Sequence, residues 1–198
     1  MELYKKNLKK LIQKKIYNPR DEHDACGVGF IASTEGKKSR KVVEYGIDAL
    51  KAVWHRGAVD ADGKTGDGAG IHIEIPKDFF IERIQNAGRR HDEGDVCVGM
   101  IFLPRNNYTA QEKCKTIVEN ELLRRKYYVY RWRQVPVNTK VLGSKAESNR
   151  PEIVQVIFKS NDKNLTGDEL ERDLFIIRKK IEKQSNLLGL KDFYICSL

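Results

Sequence analysis

Short apolar runs alternate with longer amphipathic ones along nearly the whole chain, and that alternation constrains the fold more tightly than any single motif. Residues 96–103, VCVGMIFL, form a continuous apolar stretch of strand length. Ile71, Ile73 and Ile75 alternate with His72 and Glu74, the two-residue period of a half-buried strand. Residues 27–32, 128–135, 153–158 and 193–196 bring the strand-like runs to about six. Between them, residues 3–16, 41–54, 76–85, 109–126 and 167–186 space their apolar positions for about five helices. In the first, Leu8, Leu11, Ile12 and Ile16 share one face, and Asn18-Pro19 ends it. Strands interleaved with helices predict an α/β or α+β domain. The last strand-like run stops at the chain's end, so the sequence is expected to be the front part of a longer protein.

Composition narrows the function classes. The 198 residues are 40% apolar and 33% charged, which excludes a collagenous, low-complexity or largely disordered chain. No run of eighteen apolar residues exists, so no membrane-spanning helix is expected. The basic N-terminus lacks the continuous apolar core of a secretory signal, and a cytoplasmic location is expected, or a plastid one if the source is a photosynthetic eukaryote. The net charge of +9 raises nucleic-acid binding as a class. The basic residues are scattered, however, apart from a cluster of lysines over 5–15 and the run Arg124, Arg125, Lys126. No zinc-finger spacing or aromatic RNA-binding signature accompanies them. Solvated helix faces are the expectation, with no nucleic-acid partner.

The chemistry-bearing residues gather in the first third. Residues 58–65 nearly spell a phosphate-binding loop, but they follow a helix and lead into a strand, the reverse of the order such a loop needs. Gly66, Gly68 and Gly70 occupy alternate positions, either as a tight loop or as a wall open to a small molecule. Cys26, Cys97, Cys114 and Cys196 contain no close pair, so no metal site is expected in this segment. Cys97 and Cys196 lie in apolar runs and are expected to be core thiols. Cys26 follows the acidic link Asp21-Glu22-His23-Asp24-Ala25 and is either an inert core cysteine or a nucleophile. A nucleophilic thiol needs a base. His23, His55 or the cysteine's own α-amino group could serve, the last with an unperturbed pKa of about 7.7–8.0. The amine is available only if the bond between Ala25 and Cys26 is cut, which would make residues 1–25 a leader.

Three pieces in order carry a family resemblance: Cys26-Gly27-Val28-Gly29-Phe30, His55-Arg56-Gly57-Ala58, and Thr65-Gly66-Asp67-Gly68-Ala69-Gly70-Ile71. Together they resemble the start of the glutaminase domain of the glutamate synthases, and the acidic link is similar to that family's processing site. The resemblance implies the four-layer αββα sandwich of N-terminal-nucleophile hydrolases, incomplete here. It implies a glutaminase, with Cys26 freed from residues 1–25 attacking the side-chain amide of glutamine. Arg56, Gly27, Asp67 and Gly68 would bind substrate or support the site. Ammonia would pass to 2-oxoglutarate elsewhere in the enzyme. FMN and an iron–sulfur cluster are implied for the full-length protein and no cofactor for this segment. The implied partners are the enzyme's remaining domains and a small electron-donating subunit or ferredoxin. The family's carboxylate-gripping Arg motif and its Asn-Gly oxyanion pair do not occur in this chain and are expected beyond Leu198. The alternatives are another class II amidotransferase, acting on a sugar phosphate, and a non-catalytic basic binding module.

Overall fold

The computed structural model describes residues 2–14, 27–54, 57–92 and 94–198. The chain divides into two compact units, Met1–Ala58 with Gly68–Ile71, and Val59–Asp67 with His72–Leu198.

The first unit carries two helices, α1 (Glu2–Gln13) and α2 (Arg40–Ala52). Helix α2 starts where Ser39 Oγ accepts from Lys41 N at 3.2 Å, relieving one of the free donors of the first turn. Its apolar stripe of Val42, Val43, Ile47 and Leu50 is half-buried, as the spacing predicts. The strand expected over residues 27–32 does not form. Val28 is 92% exposed and Phe30 87%, and no described segment pairs with them. A strand holds its shape only through neighbours in a sheet, and an apolar run cannot supply those neighbours by itself.

The second unit is built on a four-stranded sheet. Helix α3 (Lys77–Gln85) leads to β1 (Cys97–Leu103), followed by α4 (Tyr108–Arg124) and β2 (Tyr127–Gln134). After a short 3-10 turn (Thr139–Val141) come α5 (Ser144–Asn149), β3 (Glu152–Ser160), α6 (Gly167–Leu187) and β4 (Tyr194–Ser197). The strand order is β2-β3-β1-β4 and every pairing is antiparallel. Helices with an antiparallel sheet make the unit α+β.

Strands β1 and β3 lie inside the sheet and contribute most of the strand side chains that the two packed clusters bury. Ile101, Leu103, Val154, Val156 and Phe158 face α4 and α6, packing with Ile117, Val118, Leu122, Leu174, Ile177 and Ile181. On the opposite face, Ile157 and Tyr130 meet Phe80 and Ile84 of α3. Glu121, 1% exposed, lies between the two long helices, accepting from Arg124 at 2.6 Å and from Gln184. Gly99 sits where β1 runs closest to its neighbours. A Cβ there would stand 2.7 Å from Val156 Cγ1 and 2.9 Å from Leu198 Cδ2.

A bulge at Tyr130 interrupts β2, since Val129 pairs with Phe158 and Arg131 with Ile157. The side-chain alternation changes parity there. Tyr127 and Val129 lie under the helices before it, and Trp132 after it, with Trp132 Nε1 donating to Glu119 at 2.6 Å. Arg131 and Arg133 go to the α3 face, where Arg131 donates to Arg83 O at 3.1 Å and Arg133 to Gln155 Oε1 at 2.7 Å.

Three further expectations need correction. Residues 71–75 are not a strand; Ile73 is 44% exposed, and only Ile75 tucks against the α3 cluster. Their alternation meets no ladder among the described residues. Cys196 is not a core thiol: it lies on the exposed face of β4, whose buried residue is Ile195. Between β2 and β3, where the sequence pattern offers no element, lies α5, whose sequence SKAESN has no apolar periodicity to read.

Candidate active site

Ala25, Cys26 and Arg56, with His23 and His55, lie outside the described residues. Gly27 and Gly68 belong to the first unit and Asp67 to the second. A Cβ on Gly27 would come no nearer than 3.9 Å to Val53 Cγ2, and on Gly68 or Gly70 it would meet nothing within 4 Å. Among the described residues, nothing packs closely enough against these three positions to require a glycine.

The loop before them is built differently. Val59 pairs with Gly66 in a single antiparallel bridge, Asp60 N donates to Thr65 O at 2.7 Å, and Gly63 takes a left-handed φ of 68°. Asp62 closes the turn from inside. Its Oδ1 accepts from Lys64 N at 2.9 Å and Thr65 N at 2.6 Å, and its Oδ2 from the Thr65 hydroxyl at 2.5 Å. The phosphate-loop look-alike is thereby explained. The amides that would cradle a phosphate are already spent on the loop's own carboxylate.

The same loop is seated on α5. Gly143, the residue before α5, has no side chain with which to cap it. Asp62 Oδ2 supplies an acceptor instead, 3.3 Å from Ser144 Oγ and 3.4 Å from Lys145 N. Thr65 Oγ1 accepts from Ala146 N at 3.2 Å, and Lys145 Nζ pairs with Asp60. Sequence reading missed Gly143, Ser144, Lys145 and Ala146 entirely. The one available hint was the Asp62-Gly63 turn pair. The Thr65 hydroxyl and the surrounding N–H groups hold the Asp62 carboxyl far below the usual carboxylate range. The Lys145 ammonium, aided by Ala61 N–H, lowers Asp60.

The described cysteines are poor nucleophiles or poorly placed. Burial, with Asp95 nearby, pushes the Cys97 thiol up to about 12. Burial pushes Cys114 up to about 11. A cleft of about 200 Å³ lined by Gly94, Asp95, Cys97, Ser160 and Asp162 touches none of the predicted site residues.

Residues 26–198 match the family model of the class-II glutamine amidotransferases. The chain belongs to that family. It is 54% identical over 195 residues to the glutamate synthase [NADPH] large chain of Azospirillum brasilense, covering 98% of this chain and 13% of that protein. It is 42% identical over 181 residues to the ferredoxin-dependent glutamate synthase of Pyropia yezoensis, covering 89% and 11%. The ferredoxin-dependent glutamate synthase 2 of a Synechocystis strain is 40% identical over 178 residues, again 89% and 11%. The chain thus spans about an eighth or less of the length of these relatives.

The donor set among the described residues does not fit an iron–sulfur cluster. Among the described residues no three His, Cys, Asp or Glu side chains gather. Cys97 and Cys114 are held protonated in the core, and Cys196 stands on the exposed side of β4.

Proposed function

We propose that the chain is the front part of the glutaminase domain of a glutamate synthase, with residues 1–25 a leader and Cys26 the nucleophile. The observation that carries this reading is that the family match begins at Cys26 itself. The match to the Azospirillum protein takes in 98% of the chain, so it extends into the leader as well. Cutting the Ala25–Cys26 bond gives the thiol its own α-amine as base, with an unperturbed pKa of about 7.7–8.0. The amine takes the thiol proton as sulfur attacks the glutamine side-chain carbonyl, then passes it to the departing ammonia. Water hydrolyses the γ-glutamyl thioester, releasing glutamate. Arg56 presents a fixed fork of donors that suits it to holding the nucleophile's surroundings. Gly27, Asp67 and Gly68 are the further residues assigned to substrate binding or support of the site.

The same reading expects an αββα sandwich, and the antiparallel sheet with α4 and α6 on one face is compatible with one α and one β layer of it. In the whole enzyme the ammonia passes to 2-oxoglutarate in other domains, where FMN and an iron–sulfur cluster belong. The electron donor is a small subunit or ferredoxin, since the relatives carry NADPH or ferredoxin in their names.

The test is Cys26→Ser in the full-length enzyme. Glutamine-dependent turnover is lost and ammonia-dependent turnover persists, because a hydroxyl is a far weaker nucleophile than a thiol near neutral pH. N-terminal sequencing of active enzyme reads from Cys26. A start at Met1 refutes the processing step.

A further inference from the structure

We infer that residues 143–146 are the mount of the glycine-rich loop, with Asp62, Thr65 and Lys145 as positioning residues for glutamine hydrolysis. The inference rests on the glutaminase reading above and adds to it a part of the chain that carries no family motif.

The attachment is made at three points. Asp60 takes the Lys145 ammonium, Asp62 takes Ser144 Oγ and Lys145 N, and Thr65 takes Ala146 N. The Thr65 hydroxyl works in both directions, donating to Asp62 while accepting from Ala146. Loop and helix need each other. The first amides of α5 have no partner within their own helix, and its preceding residue, Gly143, cannot supply one. Contact at Gly143 is so close that a Cβ would stand 2.5 Å from Thr65 N and closer still to Asp62 Oδ2 and Thr65 Oγ1. Thr65 N belongs to the backbone, so the loop would have to move to make room.

That movement cannot stay local. Asp67 follows Thr65 by two residues, and a chain spans at most about 3.3–3.6 Å per residue. Asp67 therefore stays within about 7 Å of the mount's last bond. A shift of about 1 Å in a positioning element can lower a rate by about a hundredfold. A solvated loop without such seating would hold the glycines only loosely.

The experiment uses the full-length enzyme, assayed with glutamine and with ammonia. Gly143→Ala and Thr65→Val lower kcat/KM for glutamine by about ten- to a hundredfold, and ammonia-dependent turnover stays within about twofold of the parent. Thr65→Ser, which keeps the hydroxyl, restores glutamine use. Lys145→Met removes the ion pair with Asp60 and shows the same selective loss in smaller degree. Folded Thr65→Val with unchanged glutamine kcat/KM overturns the inference. So does an equal loss with both nitrogen sources, which would mark a merely structural role. If Gly143→Ala fails to fold, Thr65→Val and Lys145→Met decide. Cys26→Ser separates the two readings. Glutamine turnover surviving in Cys26→Ser refutes the nucleophile and leaves the mount to be judged on its own variants. Loss in Cys26→Ser with neutral mount variants refutes the mount alone.

Discussion

Thiol reactivity separates the cysteines, and its size can be worked from their surroundings. An ordinary thiol with a pKa near 8.5 is roughly one-quarter thiolate at pH 8. Cys97, pushed up to about 12, has roughly one thiolate in ten thousand at that pH, and Cys114, at about 11, roughly one in a thousand. Alkylation proceeds through the thiolate, so both react at least a hundredfold more slowly than an ordinary cysteine, before access is considered. Cys196 is exposed and open to the reagent. The assay is iodoacetamide labelling of the native protein at pH 8, quenched over time and read by peptide mass spectrometry. Cys196 is labelled first, while Cys97 and Cys114 stay intact until urea unfolds the protein. In processed enzyme Cys26 is labelled too, and glutamine protects it alone. Labelling of Cys97 at the pace of Cys196 in folded protein would refute the burial argument. Loss of glutaminase activity in folded Cys97→Ser would show that the nucleophile was wrongly chosen.

Burial also raises Tyr130 to about 12, so this group and the two buried thiols all ionise first in the unfolded chain. The stability they contribute is fully present below about pH 8.5 and is lost as pH climbs toward 11–12; urea midpoints measured from pH 7 to 10.5 should fall, and a flat profile would contradict this. Gly99→Val forces a branched side chain into the narrow gap beside Val156 and Leu198, and should destabilise by about 1–3 kcal/mol. That corresponds to roughly 2–12 °C in melting temperature for a domain of this size, checked by circular dichroism.

What could be read in the sequence is what depends on local pattern. Helix α6 shows its buried stripe of Leu170, Leu174, Ile177 and Ile181 at helical spacing, and its observed limits fall within a residue of those expected. Strand β1 is legible because CVGMIFL is an unbroken apolar run of strand length, with one face buried and the other half-buried. Residues 27–32 and 71–75 have strand composition too, but strand formation depends on a partner, and composition does not name one. Helix α5 was invisible for the opposite reason. Its start is capped by Asp62 and Thr65, some eighty residues earlier, and no local window contains both halves. At the candidate site, the motif residues were legible by resemblance, whereas the mount consists of ordinary Ser, Lys and Ala chosen by tertiary contact.

The extra residue in β2 has a consequence for mispairing. Past Tyr130, sliding the strand by one position would bring Arg131 and Arg133 beneath the helices in place of Trp132. The residues waiting there are Ile117, Val118, Leu174 and Ile177, and the carboxylate of Glu119 would lose its indole donor. Glu119 could pair with one guanidinium, but the other would be stripped of water beside apolar side chains, at a penalty of several kcal/mol. The slipped sheet is therefore an excited state too high to compete, and β2 proofreads its own alignment through the residues that follow its irregularity.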